Sequence, residues 1–146
     1  MRIALGNDHA GYPLKEYVRS VLEDLGHEVI DRGAPSEEPV DFPDITWDTC
    51  DIVRRGEADR AVLACGSGNG VAIAANKIHG IRAVNAHDAD EAELARRHND
   101  INVVTLSGSR LDTEQADAIV ARLLQTGAEG GRHARRVDQI GDLERG

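Results

Sequence analysis

Ala61-Val62-Leu63-Ala64-Cys65-Gly66-Ser67-Gly68-Asn69-Gly70-Val71-Ala72-Ile73-Ala74-Ala75-Asn76-Lys77 decides how this chain folds. A short apolar run ends in a cysteine, glycines 66, 68 and 70 follow, and a small-residue helical pattern begins. The reading is a buried strand, a loop of accessible backbone and a helix N-terminus. A thiol is thereby set beside unpaired N–H groups and the positive end of a helix dipole. Such surroundings favour thiolate over thiol and suit an oxyanion or a phosphate. Acid–base or nucleophilic chemistry is the local expectation; a buried structural thiol is the alternative.

The same alternation of patterns extends outward on both sides. Towards the N-terminus, Arg2–Leu5 reads as a strand and Tyr12–Leu25 as a helix, with Leu14, Val18, Val21, Leu22 and Leu25 on one face. Gly26 is its stop. Glu28–Asp31 reads as a second strand, and Asp44 as the cap of a helix running to Arg55. Arg60–Ala64 is then the third strand. Beyond the glycine loop come strands at Ile81–Val84 and Asn102–Leu106 and helices at Asp88–Arg97 and Asp112–Gln125. A last helix after Gly130-Gly131 carries Val137, Ile140 and Leu143. This order predicts an α/β, three-layer Rossmann-like sandwich: a five-stranded parallel sheet, helices on both faces and a C-terminal helical tail. Residues 1–146 read as a single domain. Ligands in such folds bind beyond the carboxyl ends of the strands, here the loops Asn7–Gly11, Cys65–Gly70, Asn85–Asp88 and Ser107–Arg110.

The 146 residues suffice to bury roughly 70% of the unfolded surface. No run approaches the ~20 apolar residues of a membrane span, and the N-terminus lacks the apolar core of a signal peptide. The expected location is the cytoplasm, with no membrane partner. A net charge of −9 argues against a nucleic-acid partner, which needs a basic face. Local positive charge is concentrated in Arg132-His133-Ala134-Arg135-Arg136. Arg132 and Arg136, at i and i+4, share a helix face and can grip one anion; a solvated basic turn is the alternative. Cys50 and Cys65 form no CxxC pair and no zinc spacing.

Several nucleotide-binding readings fail on spacing. Gly66-x-Gly68-x-Gly70 is not GxGxxG, and Gly6-Asn7-Asp8-His9-Ala10-Gly11 after the first strand is wrongly spaced. No GxxxxGK[ST] occurs. Asp8-His9 stands where side chains reach the ligand crevice, and His98-Asn99-Asp100 ends a helix, where a histidine also suits the dipole. His27, His79, His87 and His133 show no ligand spacing, although His87 with Asp88 and Asp90 leaves a metal reading open.

Taken together these residues resemble the ribose-5-phosphate isomerase B family, the RpiB/LacAB-type sugar-phosphate isomerases. The matching segments are Gly6–Gly11, Val29–Gly33, Cys65–Gly70, Ile73–Lys77, Gly80–Ala83, Arg97–Asp100, Gly108–Arg110 and Glu129–His133, in family order over nearly the whole chain. The resemblance implies interconversion of D-ribose 5-phosphate and D-ribulose 5-phosphate through a cis-enediolate, without metal or other cofactor. It makes Cys65 the base that moves a proton between C1 and C2. The backbone of Gly66, Gly68, Asn69 and Gly70, helped by Ser67, then stabilises the enediolate oxygen. His98 becomes the acid–base group of ring opening, with Asp8 as its helper. Asn99 binds sugar hydroxyls, His9, Arg132 and Arg136 hold the phosphate, and Arg110 lines the site. Family members are dimers or pairs of dimers with shared sites, so the expected partners are a small sugar phosphate and a second copy of the chain.

The chain departs from the family pattern at three places. Val71 stands where some relatives carry a glutamate base, Phe42 where a tyrosine is common, and Asn85–Ala89 differs from the usual sequence. These leave the sugar open: galactose 6-phosphate, allose 6-phosphate or a tetrose phosphate are alternatives, and a non-catalytic sugar-phosphate sensor is the reading from another class.

Overall fold

The computed structural model describes residues 1–146. Its elements run β1(Arg2–Asn7), α1(Tyr12–Asp24), β2(Glu28–Asp31), α2(Phe42–Arg54), β3(Arg60–Cys65), α3(Asn69–Ala75), β4(Ala83–Asn85), α4(Ala89–Asn99), β5(Val103–Ser107), α5(Thr113–Gln125) and α6(Arg132–Glu144). Every strand pair is parallel, in the order β2-β1-β3-β5-β4. Parallel neighbours need crossovers, and each crossover carries a helix. The Rossmann-like sandwich expected from the alternation is therefore the observed fold. No helix is long and apolar enough to cross a membrane.

Alternation along the strands builds two apolar layers. Ile3, Leu5, Val62, Ala64, Val104 and Leu106 face α1, α4 and α5, through Leu22, Ala92 and Ile119 among others. Ala4, Ala61, Leu63, Cys65 and Val103 face the opposite way, towards Cys50 and Ile52 of α2 and Val71 and Ala75 of α3. Fully burying a Leu, Ile or Val contributes about 1.5–3 kcal/mol, so the central strands anchor both layers. Cys65 belongs by parity to the α2/α3 side.

Several boundaries differ from the sequence reading, each for a local reason. Asp41 rather than Asp44 is the N-cap of α2, because Pro43 supplies a preset first-turn φ and Asp44 falls inside that turn. Helix α3 ends at Ala75, short of Lys77: the Asn76 side chain bonds both Ala83 N (2.8 Å) and Ala83 O (2.9 Å) instead. That clasp starts β4 at Ala83 rather than Ile81. At their carboxyl ends β1, β3, β4 and β5 run further than expected, taking in Asn7, Cys65, Asn85 and Ser107.

Chain order reverses between β1 and β3: β1 leads outward to β2, whereas β3 leads the other way to β5 and β4. The loops leaving β1 and β3 therefore diverge and open a crevice at the carboxyl edge. The register pairs Asn7 with Ala64, which brings Asp8 and Cys65 to that crevice side by side.

Candidate active site

Cys65 closes β3 and is 5% exposed, at the edge of the apolar layer rather than in its centre. The chain turns sharply after it, and Gly68 adopts φ +78°, a left-handed conformation that glycine takes at no steric cost. The turn swings the Gly68 N–H back onto Cys65 Sγ at 3.2 Å. Asn69 N donates to Ser67 Oγ at 3.1 Å, so Ser67 caps the start of α3 from within the loop. The N–H groups of Gly66 and Ser67 make no hydrogen bond within the chain. One N–H on the sulfur and two free N–H groups beside it form a cluster of donors that suits a ligand oxygen on which negative charge builds.

Beyond β1, buried Asp8 accepts Gly11 N on Oδ1 at 3.0 Å and so caps the turn into α1. His9 Nδ1 accepts Val40 N at 3.2 Å, which assigns the neutral ring's proton to Nε2. A cleft of about 540 Å³ opens here, walled by Asp8, His9, Asp41, Phe42 and Asp44. The Phe42 ring lies so close to Gly70 that a Cβ there would meet it at 2.7 Å. Phe42 thus joins this cleft to the glycine loop. Arg110, exposed in the turn after β5, stands on the same edge.

His98, Asn99, Arg132 and Arg136 lie elsewhere. Helix α4 starts from the carboxyl edge after β4 and runs back, so its last turn ends beside the amino ends of the strands. Its 11 residues span roughly 16 Å at 1.5 Å per residue. Arg82, at the entrance to β4, bonds Asp100 O at 2.8 Å and marks that opposite edge. Within one chain, Asp8 and His98 are not neighbours. His98 belongs to a second cluster at that edge, built with α6. Arg132 and Arg136 are exposed on α6, and His133 beside them is buried. The His133 and His98 rings stack with centroids 4.2 Å apart and planes 7° from parallel.

Glu129 completes the cluster. Its Oε2 accepts Arg97 Nε at 2.6 Å and lies 3.9 Å from His98 Nε2, while Oε1 lies 3.7 Å from His133 Nε2. The Arg97 hydrogen bond holds the Glu129 carboxyl below the usual range, against the cost of its own desolvation. Burial, and then the neighbouring His98 and Arg132, lower His133. The three ligand atoms lie within 4.8 Å of one another, a spacing that invites a metal. The rings argue otherwise: nitrogen lone pairs lie in the ring plane, and two parallel planes share no point where one ion meets both. Sequence spacing gave no sign of this trio, since His133 stands 35 positions beyond His98 and only the fold joins them. The open metal reading at His87 also has a local explanation, because His87 Nδ1 pairs with Glu91 at 3.0 Å and Asp88 caps Glu91 N.

The Ribose/Galactose Isomerase family model matches residues 3–140. Ribose-5-phosphate isomerase B of Escherichia coli is 42% identical over 98% of this chain and 96% of its own length. D-erythrulose-4-phosphate isomerase of Pectobacterium atrosepticum is 34% identical over 99% of this chain and 95% of its own. Among solved structures, ribose-5-phosphate isomerase B of Clostridium thermocellum superposes with a TM-score of 0.98 at 41% identity, covering 99% of this chain and 98% of that one. A thiol and glycine loop at the switch point of this sheet, beside such relatives, define the class as an aldose–ketose isomerase of sugar phosphates. The chain belongs to the Ribose/Galactose Isomerase family and, within it, to the ribose-5-phosphate isomerase B type.

Proposed function

We propose that the protein interconverts D-ribose 5-phosphate and D-ribulose 5-phosphate by metal-free proton transfer, with Cys65 as the base. The observation that carries this is the Gly68 N–H on Cys65 Sγ at 3.2 Å, next to the crevice that the switch of strand order opens. In the open-chain aldose, the Cys65 thiolate takes the proton from C2, and the electron pair moves to form the C1–C2 double bond of the cis-enediolate. Negative charge builds on O1, where the free N–H groups of Gly66 and Ser67 meet it, with the Ser67 hydroxyl and the backbone of Gly68, Asn69 and Gly70 around it. The thiol then returns its proton to C1, the O2 proton passes to O1, and the ketose results. Composition is conserved and no redox partner is needed.

Ring opening and phosphate binding complete the reading. His98 serves as the acid–base group for the furanose, Asp8 assists it, and Asn99 holds hydroxyls. His9, whose Nε2–H is turned to the cleft by the Val40 contact, joins Arg132 and Arg136 on the phosphate, with Arg110 alongside. What supports a homodimer, or a pair of dimers, is the roughly 16 Å of α4 between the two clusters of one chain. His98 of one subunit would meet Cys65 of another. On this reading residues 1–146 act as one domain. It works in the cytoplasm, because a charged sugar phosphate does not leave unaided the compartment in which it is made.

Cys65→Ala tests the base directly. Exchange of the C2 proton with solvent deuterium is expected to fall at least about 100-fold, as for loss of a positioned acid–base group, while phosphate binding persists. Exchange near the wild-type rate would remove Cys65 from the role. The erythrulose-phosphate isomerase at 34% identity favours a second reading, another sugar phosphate on the same scaffold. One carbon unit shifts discrimination by only ~1–3 kcal/mol. Four-, five- and six-carbon aldose phosphates, assayed for ketose formation without added metal, separate the readings, and absence of all turnover would leave a sensor.

A further inference from the structure

We infer that Asn85 is a positioning residue for the thiol base: it holds the Ser67–Gly68 peptide so that its N–H is aimed at Cys65 Sγ. The inference rests on the proposed role of Cys65. It also gives a function to one of the three places where the sequence departs from the family pattern.

In a trans peptide the C=O and the N–H point in opposite directions, so fixing one aims the other. The N–H of this plane goes to Cys65 Sγ at 3.2 Å. Its carbonyl, Ser67 O, accepts Asn85 Nδ2 at 3.1 Å, and the second proton of that amide goes to Asn69 Oδ1 at 2.7 Å. A backbone carbonyl is only an acceptor, which settles which end of the Asn85 amide faces the loop. The other end, Oδ1, is buried without a partner and lies where a Gly68 Cβ would come within 2.3 Å of it. An orphaned buried carbonyl is costly, so the amide stays in this orientation for what its nitrogen gains.

The neighbouring planes are fixed in the same manner. Thr105, the register partner of Asn85 on β5, donates from Oγ1 to Gly68 O at 2.8 Å. Ser107 and Ser109 both donate to Gly66 O, at 2.7 and 2.6 Å. Three successive carbonyls are therefore drawn towards the β4/β5 side, which turns the N–H groups of the same planes the other way. Of these anchors only Asn85 sits on the plane whose N–H reaches the sulfur. That plane ends on Gly68, at φ +78° and with no Cβ to resist a peptide flip. Once flipped, it would turn an oxygen rather than an N–H towards the thiolate.

Asn85→Leu keeps the bulk and removes the donor, and Asn85→Ser shortens it beyond reach. Each is measured for the rate of Cys65 alkylation by iodoacetamide at pH 7, located by peptide mapping, and for kcat and KM with ribose 5-phosphate. Cys50 does not interfere, since it is fully buried and burial pushes its thiol up to about 12. Losing a hydrogen bond to a charged group is expected to slow alkylation about ten-fold or more and to lower kcat in parallel, with KM within about two-fold. Alkylation at the wild-type rate in a folded variant, or a KM effect alone, would overturn the inference. If Asn85→Leu does not fold, Asn85→Ser carries the same expectation. Slowed alkylation with kcat unchanged would instead overturn Cys65 as the base, which keeps the two failures apart.

Discussion

Gly11 owes its identity to one close neighbour. At Gly11 a Cβ would stand 2.2 Å from Ala64 O, backbone that cannot retreat because Ala64 carries the strand into Cys65. Gly11→Ala is expected to cost about 1–3 kcal/mol in urea unfolding, the range for forced overpacking. An unchanged midpoint would mean that the turn into α1 yields freely. His133 bears on pH. Its folded-state value lies below the ordinary one, so below about 6.5 the unfolded chain binds the extra proton and the folded chain resists it. Stability should therefore rise with pH through that window and be lost on acidification. Glu129, held low by Arg97, adds a loss in the same direction at more acidic pH, where the folded chain must protonate it. Thermal unfolding between pH 7 and 5 is expected to be flatter in His133→Asn than in the wild type. Equal slopes would contradict the assignment.

Elements were legible in kind and less so in extent. Periodicity found every strand and helix because apolar positions repeat at 2 or near 3.6 along them, as in Leu14, Val18, Leu22 of α1 and Val104, Leu106 of β5. It stopped short at Asn7, Asn85 and Ser107, since polar residues break an apolar pattern while the hydrogen-bond ladder runs on. Asn85 and Ser107 are also where side chains reach the glycine loop, so residues that shape the site hide at ends that composition cannot see. Cys65 was readable because a cysteine before three glycines is a local signal. The carbonyl anchors Asn85, Thr105 and Ser107 were not, because they come from other strands and meet the loop only through strand register. Asp112 was readable as the end of a helix. Its side chain accepts Gln115 N at 2.7 Å while Gln115 returns a bond to Asp112 N at 2.9 Å. Asp112→Ala should cost about 1 kcal/mol, the usual value of a lost cap, and leave activity alone. A loss under a few tenths would mean that α5 is held by packing alone.

At the scale of the molecule, direction is what matters. Parallel strands send every crossover helix back towards the amino edge, so the end of α4 cannot lie at the carboxyl edge that holds Cys65. The resemblance supplied residues from both edges to one site, and a single chain separates them. The proposed assembly answers this by pairing each carboxyl edge with the amino edge of a second copy. Complementation tests that claim most directly. Cys65→Ala and His98→Asn are prepared as separate, inactive proteins, then mixed, dissociated and reassembled. With shared sites, each mixed dimer rebuilds one intact site out of two, and about a quarter of wild-type activity is expected to return from random pairing. No recovery, with mixed dimers demonstrably formed, would mean that each site draws on one chain alone and would contradict the account.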